Sequence, residues 1–312
     1  MAQRGTDRTG PSASIRAILL ILWVAGCATG LSLQAETLTI ATYNVENYGV
    51  ADRMTEAGYR KDYPKPETEK RALRAVIRGL DADILVLQEI GQMPYFEELQ
   101  RDLKAEGLGY PHAFLLEGPD PDRHVALLSR RKFKAVVPHA ALMFPYPGGS
   151  ERVKRGIVEA TVATSAGDLT LFGVHWKSRF TDRPDDPQSA LRRLGEATAV
   201  RDTVLERFPD PERAKFLILG DFNDGRTGKA MQRLGRRGKT CVAHLLPAAD
   251  GQGETWTHAY RKEDTYSRVD HVLVSPGLLT SVRGGVARIY DQPPVREASD
   301  HRPVVVTIEL GP

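Results

Sequence analysis

Six short apolar runs constrain the fold of this chain more than any other feature. They are "LTIATY" (38–43), "ILVL" (84–87), "LTLFGV" (169–174), "FLIL" (216–219), "HVLVS" (271–275) and "PVVVTIEL" (303–310). Runs this short and this rich in Val, Ile and Leu suit strands covered on both faces. "VALLS" (125–129) and "GIVEATVAT" (156–164) are further strand candidates. Longer amphipathic segments separate them. Residues 67–80 place Leu73, Val76, Ile77 and Leu80 on one helical face, with Pro66 just at the start. Residues 188–208 place Leu191, Leu194, Ala197, Leu205 and Phe208 similarly. Helices alternate with strands early and strands follow turns later, which predicts an α/β fold with mixed sheets and helices outside.

Residues with chemistry sit at the ends of these runs. Asn44 follows the first, Glu89 the second, His175 the third, and Asp221 and Asn223 the fourth. In the two late runs the order reverses: Asp270 precedes "HVLVS", and Asp300 and His301 precede "PVVV". If the late strands run antiparallel to the early ones, all of these residues converge on one sheet edge. Independent surface turns would show no such correlation, and sites at strand ends are the usual outcome in α/β sheets.

The N-terminus is set apart. A basic start with Arg4, Arg8 and Arg16 leads into "AILLILWVAGCA", the form of a secretory signal and too short for a comfortable membrane span. "VAGC" (24–27) is similar to a bacterial lipobox, in which Cys27 becomes the lipidated first residue; ordinary cleavage near "SLQA" (32–35) is the rival. The expected layout is a signal over 1–26, a short tether over 27–36 and one domain over 37–312, exported to the cell envelope or beyond. Loss of 1–26 removes three Arg and one Asp and takes the net charge from +3 to +1. The overall excess of base therefore gives no argument for a polyanion partner, although a local basic groove stays open. Cys241 is the only other cysteine, so a lipidated Cys27 leaves no internal disulfide.

Taken singly, each residue has an ordinary reading beside a chemical one. Glu89 is either a solvated strand end or a hard oxygen ligand, which suits Mg²⁺ or Mn²⁺ rather than Zn²⁺. No HExxH or CxxC spacing supports zinc. Asp221 and Asn223 are either an Asx turn or, on an extended segment, a pair on one side that orients water and donates to an oxyanion. His175 is either structural or a donor. His301 with Asp270 makes a carboxylate–imidazole pair that fixes the tautomer and stabilises the protonated ring. No GxSxG or papain-like signature points to a covalent mechanism.

In order, "TYNVENY" (42–48), "LVLQE" (85–89), "VALLSR" (125–130), "RGIVEA" (155–160), "GVHWKS" (173–178), "LGDFND" (219–224), "SRVDHVLVS" (267–275) and "SDHRP" (299–303) resemble the endonuclease/exonuclease/phosphatase superfamily of metal-dependent phosphoesterases. The resemblance covers roughly residues 38–310. It implies a four-layer α/β sandwich, two mixed sheets face to face with helices on both outsides. It implies Glu89 as principal Mg²⁺ ligand with Asn44 and Asp300 nearby, and Mn²⁺ as a substitute. Asp221 and Asn223 would position the nucleophilic water and phosphoryl oxygens. His175 would bond the phosphate, His301 would be the acid/base group oriented by Asp270, and Arg155 would contact the phosphate. Two departures stand out: His271 replaces a common aromatic, with consequences for the pocket wall, and His175 has no evident carboxylate partner.

The resemblance implies a phosphodiester substrate, foremost nucleic acid cleaved by a monomeric exported nuclease. A phospholipid or sphingomyelin diester, a phosphomonoester and a non-catalytic phosphate-binding module are the alternatives. No strongly apolar insertion loop for entering lipid stands out. The basic run "RLGRRGK" (233–239) is either a backbone contact for nucleic acid or a solvated loop. With only Trp176 and Trp256 outside the signal, no aromatic stacking platform is evident.

Overall fold

The apolar runs pair into two large sheets. The computed structural model describes Met1 and residues 36–55, 57–181 and 183–311. Its seven-stranded sheet runs Ala248–Ala249, Ala287–Ile289, Val304–Leu310, Glu36–Tyr48, Ile84–Ile90, His124–Ser129, His112–Leu116. Its six-stranded sheet runs His244–Leu245, Asp270–Val274, Phe216–Asp221, Gly167–His175, Ile157–Thr164, Phe133–His139.

Alternation along the strands assigns the layers. Ile40, Val86, Leu127 and Val306 of the first sheet meet Val158, Leu171, Leu219 and Val272 of the second in one buried core. The opposite face of the first sheet, including Tyr43, Leu85 and Leu87, packs on Leu73, Val76 and Ile77 of the helix Glu67–Leu80 and on Phe96 and Leu99 of the helix Met93–Ala105. The opposite face of the second, Phe172, Phe216 and Ile218, packs on Val200 and Val204 of the helix Ala190–Arg207 and on Met231 and Leu234 of the helix Lys229–Gly235. The fold is thus a four-layer α/β sandwich, helix–sheet–sheet–helix, and both sheets are covered on both faces as continuous apolar runs require.

Strand directions decide where the polar ends fall. Ile84–Ile90 runs parallel to Glu36–Tyr48, and Val304–Leu310 antiparallel to it. Phe216–Asp221 runs parallel to Gly167–His175, and Asp270–Val274 antiparallel to Phe216–Asp221. The ends of the early strands and the starts of the late ones therefore share one edge.

The helix Glu67–Leu80 has the expected bounds and buried face, with Glu67 and Glu69 in its first turn and Arg78 in its last, matching the macrodipole. The second helix corrects the expectation. It spans Ala190–Arg207, but its buried face is Arg193, Glu196, Ala197, Val200, Arg201 and Val204, and Leu191 is 46% exposed. The apolar pattern misled because this face holds polar residues with specific partners, Glu196 above all.

Residues 34–312 make up one compact unit. The signal over 1–26, Cys27 and nearly all of the tether lie outside the described residues. Among the described residues no helix is long and apolar enough to cross a membrane.

Candidate active site

The expected residues meet at the shared edge. Backbone distortion aims them there. Of the eight non-glycine residues with positive φ among the described residues, Glu46, Asn47, Glu89 and Asn223 belong to this edge. Such conformations carry strain and persist where the surroundings over-determine them. The pairing of Glu36–Tyr48 with Ile84–Ile90 shifts register between Asn44 and Tyr48, which leaves Glu89, at φ 65°, out of the ladder. The strand continues past Glu89 to Ile90, and this bulge turns the Glu89 side chain toward the edge. Its Oε2 accepts the Asn47 N–H at 3.0 Å.

Asp221 ends its strand one residue after Gly220, at φ 152°, where an added Cβ would lie 1.9 Å from the Val174 carbonyl oxygen; only glycine fits. Asn223 is not on an extended segment. At φ 49° it closes an Asx turn, its N–H bonding Asp221 Oδ1 at 2.8 Å, while its Nδ2 reaches Asp221 Oδ2 at 3.2 Å and the Trp176 carbonyl at 3.0 Å. The turn and the paired placement, which sequence presented as rivals, are the same structure. Asn44 Nδ2 adds a bond to Asp221 Oδ2 at 3.0 Å. Burial, then the neighbouring Asp270, raises the Asp221 carboxyl to about 7.

His301 donates from Nδ1 to Asp270 Oδ2 at 2.7 Å, both side chains being buried. Burial alone would lower the imidazole, but Asp270, Asp221 and Asp300 outweigh it and hold the ring well above its ordinary value. Its Nε2 lies 4.0 Å from both Asp221 Oδ2 and Asp300 Oδ1. Asp270 is fixed by the Thr257 hydroxyl, which accepts the N–H groups of Val269 and Asp270 at 3.0 Å each. Ser299 ties the two halves of the edge: its hydroxyl bonds the Asn44 carbonyl at 2.8 Å and accepts the His301 N–H at 3.0 Å.

His175 is fully buried, with Nε2 3.6 Å from Asp221 Oδ2 and 3.8 Å from Glu89 Oε1, and its Nδ1 has no partner. Burial and the Arg155 charge push its pKa well below normal, so this ring is neutral. Nδ1 has no carboxylate partner among the described residues, whereas Nε2 stands near two carboxylates. His271 faces away from the edge: it is fully buried, bonds the Asp224 carbonyl at 2.9 Å and packs on Phe222, so it is no pocket wall. Arg155 is 6% exposed, with Nε 2.9 Å from Asp120 Oδ2 and Nη1 donating to the Trp176 carbonyl at 3.3 Å. That carbonyl is the one Asn223 also uses.

Several residues at this edge escaped the sequence reading. Glu46 Oε2 accepts the Asp300 N–H at 3.0 Å, and burial, then Asp300, raises its carboxyl. His258 stacks beside His301 with ring centroids 4.6 Å apart, its Nε2 3.5 Å from Asp300 Oδ2. Arg123 Nε stands 3.9 Å from Glu89 Oε2. Glu196, fully buried in the helix layer, accepts the N–H groups of Lys154 at 3.0 Å and Lys177 at 2.7 Å, bracing the two loops that carry Arg155 and Trp176. No local pattern marks these residues, because each acts through a partner distant in sequence. The hairpin of Val50–Thr55 with Gly58–Pro64 leaves Met54, Tyr59 and Tyr63 exposed, and Arg53 anchors it to the Asn47 and Gly49 carbonyls.

Among the described residues, two groups of side chains bring possible metal ligand atoms within 4.8 Å of one another: His258, Asp300 and His301, and Asp221, Asp270 and His301. Both centre on His301, whose Nδ1 is committed to Asp270. Glu89 is in neither, but it presents a carboxylate on the same edge. Glu89, Asn44 and Asp300 offer hard oxygen atoms of the kind a divalent cation takes; Asn44 Oδ1 accepts the Glu46 N–H at 3.1 Å, and Glu46 Oε2 accepts the Asp300 N–H.

A family model described as the Endonuclease/Exonuclease/phosphatase family matches residues 41–301. The chain belongs to this family. Members of the endonuclease/exonuclease/phosphatase family are phosphoesterases, generally with divalent metals, and include nucleases, a sphingomyelinase and phosphatases. Solved structures share the fold. An endonuclease/exonuclease/phosphatase from Bacteroides vulgatus has TM-score 0.61 at 14% identity over 88% of this chain and 99% of that one. The human nocturnin catalytic domain with bound sulfate has TM-score 0.60 at 14% identity, over 88% and 97%. Sphingomyelinase C from Streptomyces griseocarneus has TM-score 0.59 at 14% identity, over 88% and 99%. No curated protein matches in sequence.

Proposed function

We propose that this chain is an exported, Mg²⁺-dependent phosphodiester hydrolase that cleaves nucleic acid, DNA or RNA, by in-line attack of an activated water. The observation that carries the reading is the convergence of Asn44, Glu89, His175, Asp221, Asn223, Asp270, Asp300 and His301 on one edge from both sheets. A module that only bound phosphate would need neither a buried Asp270–His301 pair nor a carboxyl at about 7.

In this reading Glu89, Asn44 and Asp300 hold Mg²⁺, with Mn²⁺ as a substitute, and the cation would neutralise phosphate charge and stabilise the leaving oxygen. The protein's own groups do the rest. Neutral His175 and the Asn223 amide donate toward the phosphoryl oxygens as charge builds. Arg155 adds a fixed positive charge behind them. Asp221 and His301 Nε2 both face the reacting edge: with its carboxyl at about 7, ionised Asp221 accepts the water proton, and protonated His301 gives its Nε2 proton to the leaving oxygen. Asp270 keeps the His301 ring in one tautomer and orientation.

One observation favours a lipid diester instead: the hairpin at the rim exposes Met54 at 77%, Tyr59 at 54% and Tyr63 at 41%. The test therefore offers the protein plasmid DNA, RNA, sphingomyelin vesicles and bis(p-nitrophenyl) phosphate, with Mg²⁺ or EDTA, beside Glu89→Ala. Nicking of DNA or cleavage of RNA that needs Mg²⁺ and is lost in the variant is expected. Turnover of the lipid alone would move the substrate, and no turnover of any diester would end the phosphodiesterase reading and turn the test to phosphomonoesters. The export signal and the lipid anchor at Cys27 rest on the N-terminal sequence. Metabolic labelling with palmitate should mark the wild type and not Cys27→Ala; an unmarked, cleaved wild type would show ordinary signal removal.

A further inference from the structure

A cluster of positive charge lies outside the active-site edge. The helix Lys229–Gly235 and the hairpin of Arg236–Arg237 with Thr240–Cys241 follow one another directly. Lys229, Arg233 and Arg236 recur at i, i+4 and i+7 and line one open groove together with Arg201 and Leu194 of the helix Ala190–Arg207. Arg237 and Lys239 flank it. Arg201 is 7% exposed, and its Nε and Nη2 both bond Asp202 Oδ1, at 2.9 and 2.8 Å. Asp202 also stands 3.9 Å from Arg237. Among the described residues no carboxylate pairs with Lys229, Arg233, Arg236 or Lys239.

Helix stability does not account for this cluster. Like charges at i, i+4 repel. Arg233 in the last turn suits the helix dipole, but Lys229 is the first residue, where a cation has the wrong sign. A groove lined by four cations, Arg201, Lys229, Arg233 and Arg236, with Asp202 pairing Arg201, is a surface that an anion would relieve. The groove also lies within reach of the catalytic edge. Arg193 Nη1 bonds the Lys177 carbonyl beside the site at 3.2 Å, and Arg201 stands eight residues further along the same helix, about 12 Å away at 1.5 Å per residue. Lys229 follows Asn223 by six residues, no more than about 22 Å of chain.

We infer that this groove is an accessory site for the phosphate backbone of the same nucleic-acid strand that is cut at the edge. This rests on the nuclease reading and deepens it. A separation of about 12–22 Å corresponds to roughly four to six nucleotide steps of 3.4 Å. A dinucleotide cannot reach the groove; a long strand can.

The test compares wild type with the triple variant Lys229→Gln, Arg233→Gln, Arg236→Gln on a long oligonucleotide and on a dinucleotide, from low to moderate salt. All three residues are exposed, so an unchanged Tm is expected, and Arg233→Lys, Arg236→Lys serves as the charge-preserving control. For a single strand, three lost phosphate contacts should make the salt slope of log affinity shallower by about 2.1, so between about 50 and 200 mM salt wild type loses about 20-fold more affinity for the long strand than the variant does. The dinucleotide should be cleaved equally by both, and the lysine control should keep the wild-type slope. Long strands cleaved with the same slope by wild type and variant would overturn the accessory site and leave the nuclease reading standing. Wild type that cleaves no nucleic acid but turns over another diester would overturn both. Anionic vesicles bound by wild type and not by the variant, with no change on nucleic acid, would assign the groove to a membrane and refute the proposal.

Discussion

Glu196→Gln separates the bracing of the site from its chemistry. The carboxylate is fully buried and accepts two backbone N–H groups, Lys154 at 3.0 Å and Lys177 at 2.7 Å. Glutamine keeps the shape but offers one carbonyl oxygen, and its NH₂ faces the second N–H. One buried donor is then left unpaired, which costs about 1–3 kcal/mol. At about 2–4 °C per kcal/mol for a domain of a couple of hundred residues, Tm should fall by about 2–12 °C. Lys154 and Lys177 neighbour Arg155 and Trp176, and the Trp176 carbonyl holds both Arg155 and Asn223. Displacement of reacting groups by about 1 Å can cost 10²-fold in rate, so kcat/KM on bis(p-nitrophenyl) phosphate, assayed well below Tm, should fall by about 10- to 100-fold. Thermal unfolding followed by circular dichroism and a colorimetric rate suffice. A Tm within about 1 °C of wild type would refute the bonding argument. A lowered Tm with unchanged kcat/KM would show that Glu196 stabilises the fold without positioning the site.

Two further outcomes are expected. His301→Ala and Asp221→Ala should each lower turnover by roughly 10²–10⁴ while the protein stays folded, and near-normal turnover in both would remove their acid/base roles. Asp120→Asn should reveal a pH-dependent contribution. Burial works against the Asp120 carboxylate, but Arg155 and the Asp122 N–H outweigh it and hold the group below its ordinary 3.8. Its stabilisation is present above that unfolded value and is lost as pH falls through the lower folded value. The gap in urea midpoint between wild type and Asp120→Asn should therefore be constant from neutral pH down to about 4–5 and shrink below; a gap that widens in acid would contradict the Asp120–Arg155 pairing.

The sequence by itself determined the strands, because continuous Val/Ile/Leu runs have few other uses, and it picked out residues that gather at the candidate site, because Asn44, Glu89, His175, Asp221, Asp270 and His301 all stand at run ends. It also determined the helix Glu67–Leu80, where the apolar spacing and the end charges agree. Tertiary structure decided the rest. Only strand direction brings Asp270 and His301 to the edge shared by Asp221 and Glu89. Only the register shift at Glu89 and the left-handed turn at Asn223 aim those side chains. Leu191 was misplaced and Glu196 overlooked because hydrophobicity reports what leaves water, whereas Glu196 is buried for two N–H groups that come from distant loops. The basic run 233–239 reads in one dimension as either a backbone contact or a solvated loop; only the fold sets its Arg233 and Arg236 in one groove with Lys229 and with Arg201 of the neighbouring helix. Periodicity is a local property and survives in one dimension; hydrogen-bond partners and the curvature of a charged surface are made by segments that meet only in the folded chain.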